Sequence, residues 1–189
     1  MLQGPVQDFP KARSLFLSSQ VDQKSCEEIT KHIILINDHD EYLRKVHAVN
    51  NTVYNPEPIK VYIDSYGGVV YQILGLISVI EKSVTPVHTI VTGCAISCGF
   101  VLLVSGHKRF AYKHSTMMYH QVSATKGGKM LDLEESLEET KRIQQKIEDI
   151  TLEKTKISKT KLHSFYNKKK DWYITAQEAI KLKVIDEIL

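Results

Sequence analysis

The sequence predicts an α/β fold with a mainly parallel sheet, and three features carry that expectation. Strand-like and helix-like segments alternate from Ser14 onward in βαβα order. The strand-like runs are short and rich in β-branched residues, whereas the runs between them repeat their apolar residues with a helical period. Two of the strand-to-helix junctions, "YIDSYGG" at 62–68 and "GCAISCG" at 93–99, carry glycines where a parallel sheet places its ligand site.

Taken in order, "SLFLSSQVD" reads as the first strand. "QKSCEEITKHIILIND" reads as a helix with Ile29, Ile33 and Ile36 on one face. Residues 39–58, "HDEYLRKVHAVNNTVYNPEP", lose clean periodicity and end in asparagines and prolines, so they read as a long, partly helical connection. "IKVYID" alternates as a strand, "GGVVYQILGLISVIEKS" is a helix started by glycine, and "VHTIVT" is the next strand. After "GCAISCG" comes a helix, "FVLLVSG", then two strand-like pieces, "KRFAYK" and "TMMYHQVSA". A long helix is expected from Met130 to about Lys154, with apolar residues at Leu133, Leu137, Ile143, Ile147 and Ile150. Glu138 and Arg142 at i,i+4 support that helix. Its narrow apolar stripe on a charged cylinder predicts a helix that projects and packs against a partner. In the closing stretch "YITAQEAIKLKVIDEIL", Thr175 stands three residues before Glu178 as a capping box.

The 189 residues form one expected domain, with 1–13 a short N-terminal segment, long enough to bury a core without staples. A formal charge of +3 and 25% charged residues give no basic excess of the kind that marks a nucleic-acid binder. The N-terminal residues hold no signal-peptide core, and no apolar run reaches the roughly 20 residues that span a bilayer. Three cysteines, Cys26, Cys94 and Cys98, have no metal-ligand spacing and imply a reducing compartment without disulfides. A cytoplasmic protein without a nucleic-acid or membrane partner is the expectation.

Ser97 lies between small residues at a strand-to-helix junction. There it is either a nucleophile held on a tight turn or the N-cap of the following helix. His120 follows a strand, within reach of the same crevice, and both glycine turns offer backbone N–H groups.

These motifs, in this order, resemble the Clp protease family of serine peptidases over most of the chain. "YIDSYGG" resembles the family's Tyr-Ile-Asn-Ser-Pro-Gly-Gly, "GCAISCGFVLL" its Gly-Met-Ala-Ala-Ser-Met-Gly-x-x-Leu-Leu, and "MMYHQ" its Met-Ile-His-Gln, while "FLSSQVD" and "ITAQEAIKLKVID" match in kind. The resemblance implies the ClpP/crotonase-like fold with a protruding strand-helix handle, here about 122–155. It implies Ser97 as nucleophile, His120 as base and then acid, and the N–H groups of Gly68 and Cys98 as the oxyanion hole. An extended peptide would bind as a β-strand beside Gly67, Gly68 and Val122. No metal and no organic cofactor are implied. The implied assembly is a homo-oligomer of two stacked heptameric rings enclosing the active sites, joined through the long helix, with an AAA+ unfoldase of the ClpX/ClpA/ClpC type as partner.

The sequence departs from the family at several points. The family's third triad residue, an aspartate, stands eight positions before the Thr or Ser of the last motif; counting back from Thr175 gives Asn167, with Asp171 four residues before that threonine. An asparagine carbonyl accepts from an imidazole N–H but supplies no charge for the imidazolium. Tyr66 stands where the family has proline. The segment before Ser14 is short and the 39–58 connection long, which puts the unfoldase partnership in question. Two rival readings follow: a weak or inactive ring subunit that modulates another peptidase, and a crotonase-type acyl-CoA enzyme.

Overall fold

A computed structural model describes residues 12–189 except Lys126 and Lys169. The sheet has seven strands. β1 (Ser14–Leu17), β2 (Ile59–Ser65), β3 (Val87–Ile96), β4 (Lys108–Ala111) and β7 (Glu187–Ile188) run in that spatial order, all parallel, while β5 (Thr116–Tyr119) and β6 (Trp172–Thr175) form a branch off β3. β5 lies parallel to the far end of β3, and β6 pairs antiparallel with β5. The predicted parallel α/β fold is therefore present.

Burial alternates along the strands, so the sheet is covered on one face and open on the other. Leu15 and Leu17 of β1 and Ile59, Val61 and Ile63 of β2 point into a core closed by α1 (Gln23–Val49), α2 (Val70–Lys82) and α3 (Cys98–Val104). The open face presents Phe16 stacked on Tyr62, with ring centroids 5.2 Å apart. The strand registers extend this row through Ile90 to Phe110.

α1 runs on through Val49, into the segment expected to be a long, partly helical connection. Its inward stripe is Cys26, Ile29, Ile33, Ile36 and then Asp40, a fully buried carboxylate. Asp40 accepts from Arg13 at 2.8 Å, from Tyr54 Oη at 2.8 Å and from Thr85 Oγ1 at 2.6 Å. A charged residue on the core-facing position erased the apolar period, yet its partners satisfy it there. Burial alone would raise the Asp40 carboxyl, but hydrogen bonds from Arg13, Thr85 and Tyr54 outweigh it and hold the group down at about 2.

α4 (Met130–Lys154) has the predicted bounds, but its apolar stripe divides into two halves with different fates. Ile143 and Ile147 are buried in the chain's own core, and Ile150 packs against it. Met130, Leu131, Leu133 and Leu137 are exposed. The exposed apolar residues of the helix thus all lie in its first half. Arg142 pairs with Glu139 and Glu138 pairs with Lys141, rather than Arg142 with Glu138. The strand expected through "TMMYHQVSA" ends at Tyr119. A short helix, α5 (Lys159–Tyr166), precedes β6, and the Thr175–Glu178 capping box opens α6 (Ala176–Lys181) as expected.

Candidate active site

The two glycine turns meet where β2 and β3 end. β3 runs on to Ile96, with a register shift against β2 between Ile63 and Ser65, and its last residues pair with β5: Cys94 with Thr116, Ala95 with Met117, Ile96 with Met118. One step further, the Ser97 amide donates to Met118 O at 3.0 Å. The same register carries Ser97 beside Tyr119 and places His120, the next residue along, against the start of α3. The ladder between β3 and β5 thus brings a serine and a histidine more than twenty residues apart in sequence to one end of the sheet.

Ser97 adopts φ +56 and ψ −119, and its side chain makes no capping hydrogen bond to α3. Ser97 thus occupies the N-cap position of α3 without its hydroxyl capping the helix. A non-glycine residue with positive φ stores strain of about 1–3 kcal/mol and persists only where its surroundings enforce it. Here the amide donation to Met118 and the acceptance by Ser97 O of the Phe100 and Val101 N–H groups, at 3.0 and 3.2 Å, hold the elbow. The result turns the hydroxyl out of the helix and toward the cleft.

The opposite wall is the Gly67–Gly68 turn. Gly67 has φ +94, and a Cβ there would lie 2.7 Å from Ser97 Cβ and 2.8 Å from Ile96 O. Gly68 has φ +152, and a Cβ on it would lie 2.2 Å from Val21 O. Only glycine fits at either position. Val21 fixes the turn from behind, donating to Gly67 O and accepting from Val69 N–H, both at 2.8 Å. Buried Ser65 steadies it from within: its Oγ accepts from the Gly67 amide at 3.2 Å and donates to Ser19 O at 2.6 Å. The Gly68 and Cys98 amides donate to no backbone carbonyl among the described residues.

A narrow cleft is lined by Gly68, Ser97, Cys98, His120 and Val122 together with an apolar wall of Val70, Val101, Tyr119 and Ile147. Five predicted site residues thus share one cavity. Gly67 borders an adjoining cleft with Ser65 and Tyr66, and the Tyr66 ring is 81% exposed at its mouth. The Cys98 thiol donates to Gly68 O at 3.2 Å, and burial pushes its pKa up, so it is neutral and not a nucleophile. Burial likewise lifts Tyr119 to about 12.

Sequence reasoning missed one polar residue of this wall. Gln144, buried on α4, donates to Tyr119 Oη at 3.2 Å and accepts from the Val122 amide at 2.8 Å. It fixes the stretch that leaves His120, and the only signal for it was a glutamine one residue after a core isoleucine.

The predicted third triad residue stands apart. Asn167 is the C-cap of α5, with its amide bonded to His163 O at 2.9 Å; its side chain is exposed and lines neither His120 cleft. Asp171 lines a second cleft with His120, Gln121, Phe165 and Lys170. Among the described residues no hydrogen bond joins Ser97 to His120, or His120 to Asn167 or Asp171.

The Clp protease family model matches residues 3–189. The chain belongs to the Clp protease family. Among its relatives is an ATP-dependent Clp protease proteolytic subunit of Deinococcus radiodurans, 30% identical over 95% of this chain and 81% of the relative. Similar subunits of Bacteroides fragilis, 30% identical over 94% of this chain and 79% of theirs, and of Dehalococcoides mccartyi, 28% identical over 95% and 82%, share that description. Among the described residues no helix of this Clp protease family member is long and apolar enough to cross a membrane.

Proposed function

We propose that the chain is a serine endopeptidase that cleaves unfolded polypeptides or short peptides. The observation that carries this reading is the Ser97 elbow, whose φ is positive, whose hydroxyl makes no capping hydrogen bond to α3, and which lines a cleft shared with His120, Gly68 and Cys98. Ser97 Oγ attacks the scissile carbonyl carbon as His120 takes its proton. The oxyanion is held by the Gly68 and Cys98 N–H groups, and the C–N bond breaks as His120 returns the proton to the leaving amine. Water, deprotonated by His120, then hydrolyses the acyl-enzyme and regenerates Ser97. Substrate enters as an extended strand between the Gly67–Gly68 turn and the Val122 stretch, with an apolar side chain against Val70, Val101, Tyr119 and Ile147. The Val122 amide is occupied by Gln144, so the backbone there offers carbonyls rather than this donor.

The exposed apolar residues at the start of α4 support a ring-to-ring contact in a two-ring homo-oligomer, and the open Phe16–Tyr62 face of the sheet supports docking of an AAA+ ATPase. A serine-directed fluorophosphonate should label Ser97, and Ser97→Ala should abolish both labelling and hydrolysis of short fluorogenic peptides. Unchanged hydrolysis by that variant overturns the serine mechanism, and acyl-CoA binding without labelling would point to crotonase chemistry instead.

A further inference from the structure

We propose that Asp64 and Tyr66 form a subsite for a cationic substrate side chain, arginine above lysine, on the leaving-group side of the scissile bond. The inference rests on the serine-peptidase reading and adds a specificity to it. Two clefts meet at the oxyanion hole: Gly68 lines both the Ser97 cleft and a second one, which is lined further by Ser18, Ser19, Gln20, Asp64 and Tyr66. In the first cleft the apolar wall takes the side chain of the acyl residue, and the Gly68 amide at the boundary takes its carbonyl oxygen. A side chain beyond that boundary belongs to a residue downstream of the bond. Asp64 and Tyr66 set the character of the second cleft, and at both positions the sequence departs from the family's motif, which has asparagine and proline there.

Asp64 is a fixed charge that nothing neutralises. Burial alternates through Ile63, Asp64, Ser65 and Tyr66, so the carboxylate and the phenol ring, two residues apart, both stand outward while buried Ser65 ties the turn to Ser19. Oδ1 of Asp64 accepts from the Cys94 amide at 2.9 Å, and the carboxylate lies over Gly93, where a Cβ would collide with it. The Cys94 thiol also bonds to this carboxylate; burial, and then Asp64 itself, push the thiol's pKa up, so both partners of the side chain are neutral. Among the described residues no lysine, arginine or histidine pairs with Asp64, and the other residues lining the cleft are uncharged. The Tyr66 ring, largely exposed, offers its face to a cation at the same mouth. An arginine uses both groups at once, because its planar guanidinium forks onto a carboxylate and stacks flat on an aromatic ring, which an ammonium does not do. A glutamate in the same place meets like charge.

The test is a set of internally quenched peptides that share one apolar residue before the cleaved bond and carry arginine, lysine, norleucine or glutamate one or two positions after it, with the cleavage point read by mass spectrometry. For the parent protein kcat/KM with arginine should exceed that with norleucine by about 3–10-fold, the range of one solvent-accessible charge pair and one cation–π contact, and glutamate should fall below both. Ratios are taken within each variant, so a general change in activity divides out. Asp64→Asn, which keeps an oxygen for the Cys94 amide, should bring the arginine-to-norleucine ratio most of the way to one. Asp64→Lys should invert the preference toward glutamate, and Tyr66→Ala should reduce it while leaving arginine ahead. Added salt should shrink the arginine preference of the parent itself, a readout that requires no variant to fold. The proposal is overturned if the parent cleaves the arginine and norleucine peptides alike, if arginine is favoured only before the bond, or if Asp64→Asn and Asp64→Lys both keep the parent's ratio. Hydrolysis of the peptides that survives Ser97→Ala would instead sink the peptidase reading beneath it.

Discussion

Replacing apolar residues along α4 should separate folding from assembly, because the helix changes surroundings half-way along. Ile147 is 4% exposed and lies in the core cluster, so Ile147→Ala should destabilise the subunit by about 2–4 kcal/mol through lost burial and the cavity left behind. Leu137 is 54% exposed in the single chain, so Leu137→Ala should cost the isolated subunit under about 0.5 kcal/mol. If the first half of α4 is the ring contact, that exposed half of Leu137 is buried on assembly. At about 25 cal/mol per Å² its loss weakens each contact by roughly 1 kcal/mol, repeated around the ring. Leu137→Glu would place unpaired charges there and dissociate the rings altogether. Sedimentation velocity reads the assembly, and urea unfolding of the dissociated form reads the subunit. The reasoning fails if Leu137→Glu leaves the assembly intact, or if Ile147→Ala unfolds at the same urea concentration as the parent.

Gly67→Ala should abolish peptidase activity and destabilise the fold by more than about 2 kcal/mol, since its Cβ would collide with Ser97 Cβ and the Ile96 carbonyl at an already positive φ; activity assay and thermal unfolding check both. Asp40 sits at about 2, below its ordinary value, so its stabilising contribution of about 2 kcal/mol is present above pH ~4 and is lost as pH falls toward 2. Asp40→Asn should flatten urea stability across that acid window and cost about 2–4 kcal/mol at neutral pH, because Arg13 loses its partner.

What the sequence made legible was whatever rests on local pattern. The βαβα order, the bounds of α4 and the Thr175 capping box all follow from periodicity and cap chemistry, and the elbow follows from small residues packed around a serine. What it concealed depends on contacts distant in sequence. Asp40 reads as a break in the α1 stripe until Arg13, Tyr54 and Thr85 converge on it. The second half of β3 reads as a loop because its partner β5 lies more than twenty residues away. α5 buries only Leu162 and so leaves no stripe to recognise. Counting back from Thr175 reached Asn167, and a residue count does not show that the chain there is wound into the end of α5, with Asn167 exposed.

The strain at Ser97 yields a prediction about stability as well as activity. An L-residue at φ +56 and ψ −119 is held against about 1–3 kcal/mol, and glycine at the same position would carry almost none of it. Glycine has its own cost, since it loses more freedom on folding, about 0.5–1 kcal/mol relative to alanine. Ser97→Ala and Ser97→Gly both remove the hydroxyl and both should be inactive, so their difference isolates the backbone. Alanine keeps the Cβ that clashes; glycine does not. The net expectation is that Ser97→Gly is more stable than Ser97→Ala by about 1 kcal/mol, which for a domain of this size is a rise of roughly 2–4 °C in Tm. Calorimetry or urea unfolding of the two inactive variants in the same assembly state measures it. If the glycine variant is the less stable of the two, the elbow is not strained, and the positive φ loses its standing as the mark of a residue kept in place for chemistry rather than for the fold.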